Sequence, residues 1–283
     1  MQKTGIEWCD STWNPVTGCL NNCPYCYAKK IAERFGRNPC ESSNCLYVNG
    51  CTKQEELGFK CKDYDPITTV HTVDDKVYRF NPRRVVPFPF RFEPTFHKYR
   101  LEEPQHVKKA QRIFVCSMAD LFGPWVPDDW IIQVFDARKK APQHRYMFLT
   151  KFPWRYRELL NKELLPELPN FFYGTTATTC KQIEESFRTC NPLYGVHTFL
   201  SIEPMLEDIG DGFDVTTIIS HDLMIFGAET GNRKDKVVPK KEWMQSLVDE
   251  CTSMCVSVFI KDSLIPIIGE EHMLRQMPEG LAL

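Results

Sequence analysis

The sequence has no long hydrophobic run. Nothing in its 283 residues approaches the roughly 18 apolar residues that a membrane-spanning helix needs, so no membrane partner is expected. The opening residues, Met1-Gln2-Lys3-Thr4-Gly5-Ile6-Glu7, contain no apolar h-region. That pattern predicts a chain without a signal peptide, and hence a cytoplasmic one. An excess of positive charge is also missing: the formal net charge is -2, without the overall basic footprint usual in nucleic-acid binders. The seven histidines are scattered and none pairs with another at ligand spacing, so no histidine is assigned to a metal. There is no internal repeat beyond a strand–helix rhythm and no low-complexity tract.

Cysteine, by contrast, is abundant. Thirteen cysteines in a chain without a secretion signal argue against a disulfide scaffold. In a reducing compartment they read as metal ligands, catalytic thiols or core residues. Hydrophobic residues make up 42% and charged residues 25%, the balance of an ordinary folded domain.

Six short apolar runs recur through the C-terminal two thirds: Ile113–Val115, Met147–Leu149, Phe171–Tyr173, Thr198–Leu200, Leu223–Phe226 and Val256–Ile260. Their length and β-branched or aromatic content predict buried strands. Between them, Asp128–Lys140, Thr179–Arg188 and Lys240–Thr252 show helical spacing. Strand, helix, strand at this interval predicts an α/β fold with a parallel sheet. The runs end in polar residues: Ser117 and Asp120, Thr150-Lys151, Thr175-Thr176, Ser201 and Glu203, Glu229, and Lys261-Asp262. In a βα barrel the residues just past the strand C-termini form the active-site face. Helix capping explains some of the Ser, Thr and Asp there, but not Lys151, Glu203, Glu229 and Lys261. Residues 36–104 differ, being rich in Cys, Pro and Asn with little helical periodicity. They read as an insertion within a single domain spanning 1–283.

The densest chemistry lies in Gly18-Cys19-Leu20-Asn21-Asn22-Cys23-Pro24-Tyr25-Cys26, a C-x3-C-x2-C array. Three close thiolates can hold three corners of a [4Fe-4S] cubane, which leaves one iron open. Ferredoxins supply four cysteines per cluster at other spacings, and structural zinc prefers two C-x2-C pairs. The ligand count therefore favours a cluster over zinc or inert thiols.

This array, with Tyr25 directly before the third cysteine, resembles the motif of the radical S-adenosylmethionine (SAM) superfamily. More narrowly, the chain is similar to the uncharacterised three-Cys-motif family first named from phage proteins. The likeness is carried by Ile6-Glu7-Trp8 with Thr12–Cys19, by Ser117–Phe122, by Leu200–Pro204 and by Gly227–Gly231. The Ser-x-x-Asp and Thr150-Lys151 elements also resemble spore photoproduct lyase, a DNA-repair member of the superfamily. The cysteine-rich part of 36–104 departs from the family pattern.

The resemblance implies a partial (β/α)6 TIM-type barrel. It implies an enzyme that reductively cleaves SAM at a [4Fe-4S] cluster held by Cys19, Cys23 and Cys26. The resulting 5′-deoxyadenosyl radical would act on a substrate, with nucleic acid or a nucleotide favoured, and an electron donor such as flavodoxin or ferredoxin would supply the electron. The zwitterionic methionyl group needs acceptors for its ammonium, a role for Ser117 and Asp120, and a cation for its carboxylate, a role for Lys151. Thr175, Ser201 and Glu203 are further cofactor-binding candidates, and Tyr25 is a contact for adenine. The competing reading is a non-catalytic Fe–S or zinc protein that binds nucleic acid or a protein partner.

Cys40, Cys45, Cys51 and Cys61 form a second group, C-x4-C-x5-C-x9-C, in a stretch with no hydrophobic pattern of its own. A second Fe–S cluster or a zinc that orders the stretch is one reading, and free thiols the other. Cys116, Cys180, Cys251 and Cys255 read as core residues. Arg83, Arg84, Arg91, His97, Lys98 and Arg100 interleave with Phe88, Phe90, Phe92, Phe96 and Tyr99. That composition suits either a surface that binds phosphates and stacks bases or an ordinary packed strand.

Overall fold

The computed structural model describes residues 1–36, 70–76, 85–190, 193, 195–210 and 215–283. The chain forms two compact units interleaved in sequence. The first comprises Met1–Gln2, Thr12–Lys109 and Val115–Pro142; the second comprises Lys3–Ser11, Ala110–Phe114 and Gln143–Leu283. Among the described residues, no helix is long and apolar enough to cross a membrane.

The strands are β1 (Gln2–Lys3), β2 (Ser11–Trp13), β3 (Val16–Thr17), β4 (His71–Val73), β5 (Thr95–His97), β6 (Arg112–Val115), β7 (Arg145–Thr150), β8 (Phe171–Thr176), β9 (His197–Ile202), β10 (Leu223–Phe226) and β11 (Ser257–Ile260). The α-helices are α1 (Tyr27–Phe35), α2 (Asp128–Ala137), α3 (Trp154–Asn161), α4 (Cys180–Cys190), α5 (Val215–Ile219), α6 (Lys241–Ser253) and α7 (Ile265–Ile268). The result is a mixed α/β fold with a large, mostly parallel sheet. Each sequence-predicted apolar run lies in or against one of β6 to β11, and strand and helix alternate as expected.

In the second unit the strands run in the order β6-β7-β8-β9-β10-β11. The pairs β7–β8, β8–β9, β9–β10 and β10–β11 are all parallel. Side chains alternate across this sheet. Leu200, Met224 and Val258 are in register and pack with Leu247 and Cys251 of α6, so one face is covered by helices. Phe172, Phe199, Ile225 and Phe259 belong to the other face, where they pack with Trp8 and Leu281. This face is therefore covered by segments from near both ends of the chain. Trp8 lies 4.7 Å from Phe114 and 6.1 Å from Phe199, centroid to centroid. Full burial of one such Phe is worth about 1.5–3 kcal/mol.

In the first unit β3, β5 and β4 form a small sheet, with β3 antiparallel and β4 parallel to β5. Two of these strands fall within 36–104: β5 lies in the stretch for which a packed strand was one reading, and β4 where little regular structure is expected. Each is three residues long, too short for an alternation to be legible in the sequence. They form because Val73, Val86 and Phe90 bury one small cluster, with Tyr99 packed against it. Cys40, Cys45, Cys51 and Cys61 lie outside the described residues, as do Arg83 and Arg84.

Candidate functional site

In the first unit the cysteine loop is built from two backbone constraints. Gly18 has φ +85°, and a Cβ there would lie 2.1 Å from the Glu93 carbonyl oxygen; only glycine fits. Its N–H donates to Met118 O at 2.9 Å, and Cys19 N donates to Phe92 O at 3.1 Å. The loop ends where Cys26 caps α1, its sulfur accepting from Lys29 N at 3.4 Å.

The other two sulfurs also accept N–H groups. Asn21 N donates to Cys19 Sγ at 3.5 Å and Asn21 Nδ2 to Cys23 Sγ at 3.4 Å. All three cysteines are partly buried. Burial, then the charge of Asp120, pushes the Cys19 thiol up to about 12, and Cys23 and Cys26 add to the rise. Cys19 is thus within electrostatic reach of Cys23 and Cys26, and a metal must displace a proton from Cys19 to bind it. Among the described residues no group of three or more His, Cys, Asp or Glu side chains could hold a metal ion. A cubane makes a different demand, because each cysteine ligates its own iron. The donor set fits that demand: three thiols on one loop, each sulfur with an N–H donor.

The segment after β6 carries Ser117 and Asp120 and is fixed by Asn14. Asn14 Oδ1 accepts from Met118 N at 2.9 Å and from Ser117 Oγ at 3.2 Å. Asp120 is 7% exposed, and its Oδ1 accepts from Phe122 N at 3.1 Å. Tyr25 is partly buried, whereas Tyr27, one residue past the motif, donates its hydroxyl to Ser117 O at 2.7 Å. Neither Asn14 nor Tyr27 was singled out from the sequence. The Thr12–Cys19 stretch containing Asn14 was the available signal.

In the second unit the register places the strand ends side by side. Thr150 pairs with Thr175, Thr176 with Ser201, and Ile202 with Phe226, which pairs with Ile260. The phase of the alternation then separates the candidates. Ser201 shares its face with Phe199 and Ile225, and Thr176 is in register with it. Thr175 is in register with Leu200 on the helix-covered face and is 1% exposed. Thr176 therefore stands where the sequence reading placed Thr175. Thr150 caps the turn after β7, accepting from Phe152 N at 3.0 Å, and Lys151 follows it, half-buried.

Glu203 forms an ion pair with Lys261. A Cβ at Gly227 would lie 3.1 Å from Glu203 Cγ and 3.2 Å from Lys261 Cδ, so the glycine between them makes room for the pair. Glu229, its side chain 3% exposed, accepts from Arg233 Nε and Nη2, both at 2.8 Å. A cavity of about 410 Å³ elsewhere in this unit is lined by Glu7, Arg112, Phe259, Asp262, Arg275 and Met277. Its charges pair with neighbours, Arg275 with Glu7 at 2.9 Å and Arg112 with Asp10 at 3.0 Å.

One open alternative is decided and one expectation is corrected. The stretch read as a surface of cations and aromatic rings is largely interior: Phe88, Phe90 and Phe96 are 7%, 2% and 0% exposed. Two of its cations are engaged, Arg100 with the carbonyls of Asn14 and Pro87 and Lys98 with Asp74, while Arg91 is exposed. His97 is fully buried, and burial holds its imidazole well below the usual range, so it is neutral. The packed-strand alternative describes this stretch. Cys255 is exposed rather than in the core, because α6 ends at Ser253 and Cys255 adopts φ 58° beyond it. Cys116 and Cys251 are buried, as expected.

No curated protein and no solved structure matches the chain. The model of a family described as a protein of unknown function, DUF5131, matches residues 3–264, and the chain belongs to that family.

Proposed function

We propose that this protein is a radical SAM enzyme whose large sheet is the partial (β/α) barrel of that superfamily. The observation that carries the reading is the loop of Cys19, Cys23 and Cys26, three partly buried thiols with an N–H donor on each sulfur. Bound there, a [4Fe-4S] cluster supplies one electron and an open iron, the chemistry by which SAM is cleaved reductively to a 5′-deoxyadenosyl radical.

The chain's own residues have distinct tasks in this reading. The three cysteines hold the cluster, and the Asn21 and Lys29 N–H groups stabilise thiolate charge on their sulfurs. Ser117 and Asp120 offer acceptors for an ammonium, and Asn14 holds the segment that bears them. In the second unit Lys151 offers the charge for a carboxylate, while Ser201 and Thr176 are hydrogen-bonding groups at the strand ends. Glu203 is paired with Lys261, so its task is to neutralise and position that lysine rather than to meet the cofactor alone. An external donor of the flavodoxin or ferredoxin class would deliver the electron.

The test is anaerobic reconstitution with iron and sulfide, followed by reduction in the presence of SAM. Formation of 5′-deoxyadenosine, read by mass spectrometry, is expected in the wild type and absent in Cys23→Ala. Wild-type cleavage by Cys23→Ala refutes the assignment. A loaded cluster without any cleavage favours a non-catalytic Fe–S protein.

A further inference from the structure

The loop that leaves the strand-end region after β10 has a charge unlike the rest of the chain. Residues 232–241 contain Arg233, Lys234, Lys236, Lys240 and Lys241 against a single acid, Asp235, in a chain of net charge -2. The four lysines are exposed. The fifth cation serves as the anchor: Arg233 grips both oxygens of the buried Glu229 carboxylate. The base of the loop is thereby pinned to the end of β10.

The lysines themselves have no acidic partner among the described residues. Lys236 Nζ donates to Gly231 O at 3.2 Å, and Lys240 Nζ lies 5.7 Å from the Trp243 ring centroid. Three lysines elsewhere in the protein are paired with carboxylates. Lys98 pairs with Asp74 at 2.8 Å, Lys139 with Asp136 at 2.7 Å and Lys162 with Glu158 at 2.6 Å. Four ammonium groups within residues 234–241, none of them ion-paired among the described residues, repel one another. A ligand carrying a row of negative charges relieves that repulsion and releases the counterions condensed on itself.

We infer that this loop binds the phosphodiester backbone of a nucleic acid. An anionic membrane fits less well. Binding at a membrane interface needs an apolar face to insert, and Val238 is the one strongly exposed apolar side chain in the loop. Taking this nucleic acid as the substrate rests on the radical SAM reading above; its binding does not.

The test uses the full chain and fluorescein-labelled single-stranded RNA, single-stranded DNA and duplex DNA, with binding read by anisotropy. Four lysine–phosphate contacts give a slope of about -2.8 to -3.6 in log K against log salt, so affinity should fall roughly 50- to 150-fold between about 50 and 200 mM salt. The quadruple variant Lys234→Gln, Lys236→Gln, Lys240→Gln, Lys241→Gln keeps the Arg233 anchor. It should lose most of that salt dependence and bind roughly tenfold or more weakly at the lower salt. If the quadruple variant does not fold, the pair Lys234→Gln and Lys236→Gln should halve the slope. Wild-type affinity and slope in the variants overturn the inference. So does an absence of salt-sensitive binding to all three probes, or lysine-dependent binding to phosphatidylserine vesicles in their place. Formation of 5′-deoxyadenosine without nucleic acid, measured in parallel, should be equal in wild type and variant. Its absence from both sinks the radical SAM reading and leaves the binding result standing.

Discussion

Replacing Asn14 by alanine tests whether the segment carrying Ser117 and Asp120 is held by one side-chain acceptor. Asn14 is 9% exposed, and its Oδ1 is shared by the Met118 N–H at 2.9 Å and the Ser117 hydroxyl at 3.2 Å. The alanine variant leaves the buried Met118 N–H without that acceptor, at a cost of about 1–3 kcal/mol, and removes a further hydrogen bond worth roughly 1 kcal/mol. The sum is about 2–4 kcal/mol. At roughly 2–4 °C per kcal/mol for a chain of this order of size, the melting midpoint should fall by about 4–16 °C. Asn14→Asp keeps an oxygen at the same position and should recover most of that loss. Thermal unfolding followed by tryptophan fluorescence makes the comparison. Iron bound after reconstitution reports the second consequence, because Gly18 of the cysteine loop is bonded to Met118 O. Equal destabilisation by alanine and aspartate would refute the reasoning, since it would show that shape rather than the acceptor matters.

Lys151→Ala should weaken SAM binding about 10- to 150-fold, the equivalent of a charged hydrogen bond of roughly 1.5–3 kcal/mol; unchanged affinity in a calorimetric titration would show that another cation takes the carboxylate. Burial pushes the Cys9, Cys116 and Cys251 thiols up to about 12, so at about pH 8 roughly one in 10⁴ of each is the reactive thiolate. In timed alkylation with peptide mapping, exposed Cys255 should therefore react before these three, and equal labelling of Cys251 would contradict the structure. Metal analysis should give about four irons for one cubane, with further iron or a zinc from Cys40, Cys45, Cys51 and Cys61. Iron at about four with no zinc would remove the second site.

The sheet was readable in the sequence because its strands are nearly continuous apolar runs, as strands buried on both faces must be. The same property hid which way each residue points. Thr175 and Thr176 are adjacent and chemically alike, and only the register with Leu200 and Ser201 shows which of them shares a face with Ser201. The cysteine loop was legible through its spacing alone. Its supports were not: Asn14 reaches residues 103 and 104 positions away, and Glu203 meets Lys261 across 58. The aromatic stretch stayed open between two readings for a related reason. Phe and Arg in alternation describe a stacking surface and a packed strand equally well, and burial decides between them. Arg233 and Glu229 show the helical i, i+4 spacing but meet in a loop, where no periodicity announced them.

The way the two units share the chain bears on how the protein is made. Glu7 accepts from Asp262 N at 2.7 Å and from Arg275 Nη1 at 2.9 Å, and Trp8 packs in a cluster with Phe259 and Leu281. The second unit therefore cannot close until synthesis has passed Leu281. The residues of the first unit end earlier, at Pro142. Once Phe172 and Phe199 have been synthesised, their face of the sheet lacks Phe259 and Leu281 until those residues follow. That interval, with Phe172 and Phe199 exposed during synthesis, is when a chaperone has a surface to hold.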